Sequence, residues 1–117
     1  MRERRKEPFR YSFDAPLQGY YNKKLNRQVA GPLRVVDMSL NGMRYTCEAD
    51  PVLALEDEVF VSFILDNDTY TAEGRVIWKD INEESMTCGV RVFSFPHRLE
   101  ERLFELVKER EDAQIMK

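Results

Sequence analysis

The chain has one histidine, one tryptophan, two cysteines and five glycines in 117 residues, and each scarcity removes a class of function. With a single His97, and with Cys47 and Cys88 far apart and in no CxxC pattern, no metal cluster of the usual spacing can be assembled. Each cysteine sits among alternating apolar residues and reads as a buried thiol. No glycine-rich phosphate loop and no nucleophile with an adjacent base is present, which sets enzymatic chemistry aside. No apolar run approaches the roughly twenty residues a membrane helix requires, and the N-terminus lacks the apolar stretch of a signal peptide; a cytosolic protein with no membrane insertion is expected. The net charge of −3 argues against general nucleic-acid affinity.

Charge is nonetheless unevenly placed. Arg2, Arg4, Arg5, Lys6 and Arg10 crowd the first ten residues against only Glu3 and Glu7. Downstream, Asp37-Met38-Ser39-Leu40-Asn41-Gly42 brings a carboxylate, a hydroxyl and a glycine into one short turn, so that an acceptor, a donor and an exposed backbone N–H converge. Arginine binds phosphate as a planar fork and meets the O6/N7 edge of guanine in the same bidentate way, so the basic run supplies the other half of a site for a small dianion bearing purine bases. The competing readings are a plain turn, because Asp, Ser, Asn and Gly favour turns anyway, and a solvated charged terminus. The second is compatible with binding: an arm that is disordered without ligand loses conformational entropy only when it closes, and Pro8 and Phe9 would reduce that loss.

From Phe13 to Lys79 apolar residues recur with period two, the signature of antiparallel strands. Phe13, Ala15, Leu17, Gly19 and Tyr21 are expected on one face of a first strand. A turn through residues 22–26 leads to a second strand ending near Asp37, and Met43, Tyr45 and Cys47 mark a third. After a loop from Pro51 to Glu58, Val59, Val61, Phe63 and Leu65 face inward. A hairpin at Asp66-Asn67-Asp68 leads to Tyr70, Ala72, Gly74, Val76 and Trp78 on one side. A polar loop over 80–84 precedes a sixth strand carrying Met86, Cys88, Val90 and Val92. From His97 the period changes to that of a helix, with Leu99, Leu103, Leu106 and Val107 on one stripe and Pro96 in its first turn. Six antiparallel strands avoid exposed edges by curling, so the predicted fold is mainly β: a six-stranded antiparallel barrel with a C-terminal α-helix against one opening. The expected layout is a flexible basic arm over 1–12, a single domain over 13–111 and a frayed tail over 112–117. At this size a second domain is excluded, and any effector must be another molecule.

Taken together, these features resemble the PilZ domain family, whose members bind the bacterial second messenger cyclic di-GMP through an RxxxR motif and a DxSxxG motif. Asp37 to Gly42 completes the second. The first ends at Arg10 but begins at Lys6, with Arg5 and Arg4 just before it, so the local form is RKxxxR. The resemblance extends to Gly89-Val90-Arg91-Val92-Phe93 and the closing helix. It implies cyclic di-GMP as ligand, with no cofactor, and a protein effector as partner. Arg10 and Arg5 would engage phosphate and the Hoogsteen edge of guanine, with Lys6 contributing charge. Asp37 would accept guanine N–H groups, Ser39 would donate to phosphate or steady the turn, Asn41 would add a minor contact, and Gly42 would allow a positive φ or close backbone approach. In that family the residue before RxxxR influences whether one ligand or a stacked pair is bound, and Arg5 points to the pair. Lysine cannot form the planar fork, and losing one charge-assisted bond costs about 1.5–3 kcal/mol, roughly ten- to hundredfold in affinity. Other readings are a PilZ-like protein adaptor that binds no nucleotide, and a barrel that binds single-stranded nucleic acid; the acidic surface and the lack of an aromatic and basic strand face count against the latter. Arg98 and Arg102 also have RxxxR spacing, but on the polar side of the last helix, where they read as solvated charges. His97 reads as a surface residue at the helix start. Trp78 and the pair Tyr20-Tyr21 read as packing, although an aromatic near a nucleotide can stack on a base.

Overall fold

Period-two alternation in the middle of the chain becomes six strands. In the computed structural model, which describes residues 10–50 and 52–115, these are β1 (Tyr11–Lys23), β2 (Ala30–Met38), β3 (Gly42–Glu48), β4 (Glu58–Leu65), β5 (Asp68–Asn82) and β6 (Ser85–Ser94), followed by helix α1 (His97–Ile115). All pairings are antiparallel, and the sheet closes as a barrel in the order β1-β2-β3-β6-β5-β4. Closure is made by β1 against β4, where Gly19 faces Phe63 and Tyr21 faces Val61. Closing the sheet removes the unpaired edges that an open six-stranded sheet would expose.

The inward positions form one core. Leu33, Val35, Met43, Tyr45, Val59, Val61, Phe63, Tyr70, Ala72, Val76, Met86, Cys88 and Val90 are buried in a single cluster, which Leu53 from the β3–β4 loop also joins. Each large side chain buried in this way contributes on the order of 1.5–3 kcal/mol. One end of the barrel is stoppered by α1, whose Leu99 and Leu103 are fully buried while Leu106 packs at the margin. Ion pairs from Arg102 to Asp66 and from Arg98 to Asp68 tie the helix to the β4–β5 hairpin, and Arg98 also lies over the Tyr70 ring. The two arginines remain on the polar side of the helix, Arg98 largely exposed as expected, and each in addition pairs with a carboxylate of the hairpin.

The two-residue hairpin at Asp66-Asn67 has positive φ at both positions (53° and 71°), the mirror-image turn whose twist matches the strands it joins. Three expectations fail in detail. The region 80–84 is not a polar loop: β5 runs to Asn82, opposite Ser85, and only Glu83 and Glu84 turn, with φ of 58° at Glu83. Strand β1 begins at Tyr11, because Tyr11 and Ser12 pair with Met38 and Asp37. Between Ser12 and Leu17 that strand bulges, so Ala15 is exposed and does not share the inner face with Leu17 and Tyr21; Pro16, which has no ladder donor, sits inside the irregular stretch. Helix α1 is assigned as far as Ile115.

Candidate functional site

The turn between β2 and β3 is built by its own polar groups. The Ser39 backbone N–H donates to the Gly42 carbonyl at 2.8 Å, and the Asn41 N–H donates to Ser39 Oγ at 3.3 Å. The Val92 N–H donates to the Asn41 carbonyl at 2.8 Å, fastening the turn to β6. Ser39 is fully buried, and of the two roles expected for it the structure displays the steadying of the turn. Gly42 does not have positive φ. Its lack of a side chain serves close approach instead: a Cβ there would stand 3.0 Å from the Val90 carbonyl oxygen.

Asp37 lies just before this turn, at the point where the β2–β3 register shifts between Val35 and Asp37. Although only 2% exposed, it carries a charge whose two oxygens are both taken. Arg10 Nη1 donates to Oδ1 and Arg44 Nη2 donates to Oδ2, each at 2.6 Å. Burying a carboxylate is tolerable only with such compensation, and charge-assisted bonds of this length are the strong kind. The bridge to Arg10 spans 27 residues and holds the entry to β1 against the end of β2.

Around this ion triad opens a cleft of about 600 Å³ lined by Arg10, Asp37, Asn41, Gly42, Arg44, Ile77, Trp78, Gly89 and Arg91, with Met43 and Val90 beneath. Its floor is shaped by glycine. Gly89 lies between Arg44 on β3 and Trp78 on β5 in the register, and a Cβ on it would fall 2.0 Å from the indole nitrogen of Trp78. The indole therefore lies flat across a residue with no side chain. Trp78 was expected to follow Val76 into the core. A register shift between these two residues turns it out to 41% exposure, onto the wall of the cleft. Of the tyrosine pair, Tyr21 is core packing but Tyr20 faces out.

The structure thus brings together Arg10, Asp37, Ser39, Asn41 and Gly42 of the expected site residues. Arg5 and Lys6 lie outside the described residues. Arg44 and Arg91 were not among the expected site residues: alternation puts them on outward positions of β3 and β6, but only the register sets Arg44 opposite Gly89 and Arg91 opposite Gly42. His97 is exposed at the start of α1, near Glu101, and is not among the residues that line the cleft. Cys47 and Cys88 are free thiols. Among the described residues no group of His, Cys, Asp and Glu could hold a metal ion, and no helix is long and apolar enough to cross a membrane.

The molecule is thus a small closed barrel stoppered by a helix, with an arginine-lined cleft beside the β2–β3 turn. The chain belongs to the PilZ domain family, which it matches over residues 3–109. Among solved structures it is similar to the Bacillus subtilis inhibitor of motility MotI/DgrA, with a TM-score of 0.72 and 12% identity over 95% of this chain and 53% of that one. It is likewise similar to K. pneumonia MrkH in complex with c-di-GMP, with a TM-score of 0.67 and 17% identity over 93% of this chain and 54% of the other. A third similar structure is the PilZ domain of YcgR from Escherichia coli with c-di-GMP, with a TM-score of 0.64 and 22% identity over 96% and 98% of the two chains. This chain spans about half the length of the first two. None of the curated proteins matches it.

Proposed function

We propose that this domain binds cyclic di-GMP in the cleft beside the β2–β3 turn and relays binding to a protein partner through a changed surface, without catalysing a reaction. One observation carries the reading: Arg10, the last residue of the basic motif, meets Asp37, the first residue of DxSxxG, inside a single cleft with the turn's Asn41 and Gly42 at its edge. Guanidinium to phosphate and carboxylate to guanine N–H are the pairings these groups make best. Trp78 adds an exposed indole face on which a purine stacks. Two of the similar structures, those of MrkH and the YcgR PilZ domain, contain c-di-GMP, which supports the choice of nucleotide. In this reading Arg5 and Lys6 complete the grip from the N-terminal side, Ser39 keeps the turn in shape, and the domain works in the cytosol.

Calorimetric titration of the purified chain with cyclic di-GMP tests the proposal. Saturable binding is expected, lost in Arg10→Ala and tightened in Lys6→Arg. A flat titration of the unsubstituted chain overturns it and favours a second reading suggested by Lys6, which stands where the family motif has arginine: a protein adaptor that has given up nucleotide. The number of ligands per chain comes from the same titration, and Arg5 favours two.

A further inference from the structure

We propose that Arg44 and Arg91, which belong to neither motif, are ligand-binding residues, and that Asp37 holds Arg44 in reserve until ligand arrives. This rests on the reading of the cleft as a cyclic di-GMP site. Both oxygens of Asp37 are occupied, one by Arg10 and one by Arg44. Each oxygen keeps a second acceptor position, but a guanine edge that presents N1–H and N2–H side by side has to reach both oxygens at once on a carboxylate only 2% exposed, so one guanidinium gives up its place. Arg10 and Arg44 are equally exposed, at 46%, and both line the cleft; Arg44 is the one suited to leave, because the Arg10 bridge also holds the entry to β1 against the end of β2. The exchange then conserves strong bonds: Asp37 trades a guanidinium for a guanine edge, and Arg44 trades a carboxylate for a phosphate in the same cleft.

Arg91 stands across from the turn, in register with Gly42, and lines the same cleft. Its neighbour across β5, Arg75, is neutralised by Glu58, but Arg91 is exposed and has no acidic partner among the described residues. Among the described lining residues, three guanidiniums against one carboxylate sum to a charge of +2, which matches the two phosphates of a cyclic dinucleotide. Arg44 also offers, from a rigid strand, the planar fork that Lys6 cannot form.

The test is titration calorimetry with cyclic di-GMP on the full chain and on Arg44→Gln, Arg44→Lys and Arg91→Gln, at two salt concentrations. Both glutamine variants are expected to weaken binding roughly tenfold or more, and Arg44→Lys to recover part of the loss. A direct phosphate contact also makes the glutamine variants less sensitive to salt than the unsubstituted chain. Weaker binding with unchanged salt sensitivity would mean that Arg44 only positions Asp37, and would overturn its role as a contact. If the unsubstituted chain binds and both glutamine variants bind within twofold of it, the proposal for these two residues fails while the cleft reading stands. If the unsubstituted chain does not bind, the cleft reading itself fails and this proposal with it. Arg91→Gln touches no group of the ion triad, so it reports on the charge of the cleft even if Arg44→Gln disturbs Asp37; melting temperatures verify that each variant is folded.

Discussion

Replacing Gly89 by alanine puts the architecture of the cleft floor to a quantitative test. An added Cβ would lie 2.0, 2.3 and 2.7 Å from Nε1, Cε2 and Cδ1 of Trp78, so the indole must lift off β6. The obstacle is a half-exposed side chain and not backbone, so the barrel survives. A tryptophan buries roughly 150–250 Å² when covered, and losing about 60 Å² of the contact it retains costs on the order of 1.5 kcal/mol. Alanine recovers about 0.5–1 kcal/mol by restricting the unfolded chain. The balance is a destabilisation of roughly 0.5–1 kcal/mol, or a few degrees in Tm. Because Trp78 is the only tryptophan, its emission is a clean reporter: a red shift is expected in Gly89→Ala, together with weaker binding of cyclic di-GMP. Emission and affinity equal to those of the unsubstituted chain would refute the packing of indole on glycine, and a variant that fails to fold would show that the ring is locked far more firmly than its exposure implies.

Three further outcomes follow from the core and the turns. Leu103→Ala, at a fully buried position where α1 stoppers the barrel, is expected to cost about 2–5 kcal/mol in denaturant unfolding; a loss under 1 kcal/mol would mean that the helix is not integral to the fold. Asn67→Val, at a residue with φ of 71°, should destabilise the β4–β5 hairpin by about 1–2 kcal/mol, whereas Asn67→Gly should be neutral or better in the same thermal melt. Burial raises both Tyr21 and Tyr45, the former also through its bond to Asp50 and the latter beside Cys88. Above about pH 10 the unfolded chain releases these protons while the folded chain keeps them, so stability falls as pH rises, by about 1.4 kcal/mol per pH unit for each tyrosine. Tyr45→Phe should flatten that slope and raise stability at neutral pH by up to about 1 kcal/mol, because its buried hydroxyl has no nitrogen or oxygen partner; an unchanged slope between pH 10 and 11 would refute the assignment.

Alternation is a local property, and the parts of this fold that depend only on alternation could be read from the chain. Val59, Val61, Phe63 and Leu65 point inward because their strand is regular and paired on both sides. Alternation fails wherever a strand slips against its neighbour. At Ser12 to Leu17 the slip had a visible marker in Pro16, a residue that cannot join a ladder in mid-strand. At Val76 to Trp78 no local marker exists: the slip that turns Trp78 outward is accommodated by Gly89 on the facing strand, and one strand's pattern does not report what its partner lacks. The β2–β3 turn was legible because DxSxxG carries its own hydrogen-bond logic in six consecutive residues. Arg44 and Arg91 were not, although extending the β3 pattern two residues beyond Gly42 puts Arg44 on the same outward face as the turn's glycine. What the pattern alone could not supply is the pairing of β3 with β6, which sets Arg44, Gly89 and Trp78 in one row and Gly42 beside Arg91 in the next. The cleft is thus a product of non-local pairing across three strands. Moving the β3–β6 register by one residue would turn Arg44 and Arg91 toward the core, where an unpaired guanidinium is prohibitive, so the charges that line the cleft also help enforce the register that creates it.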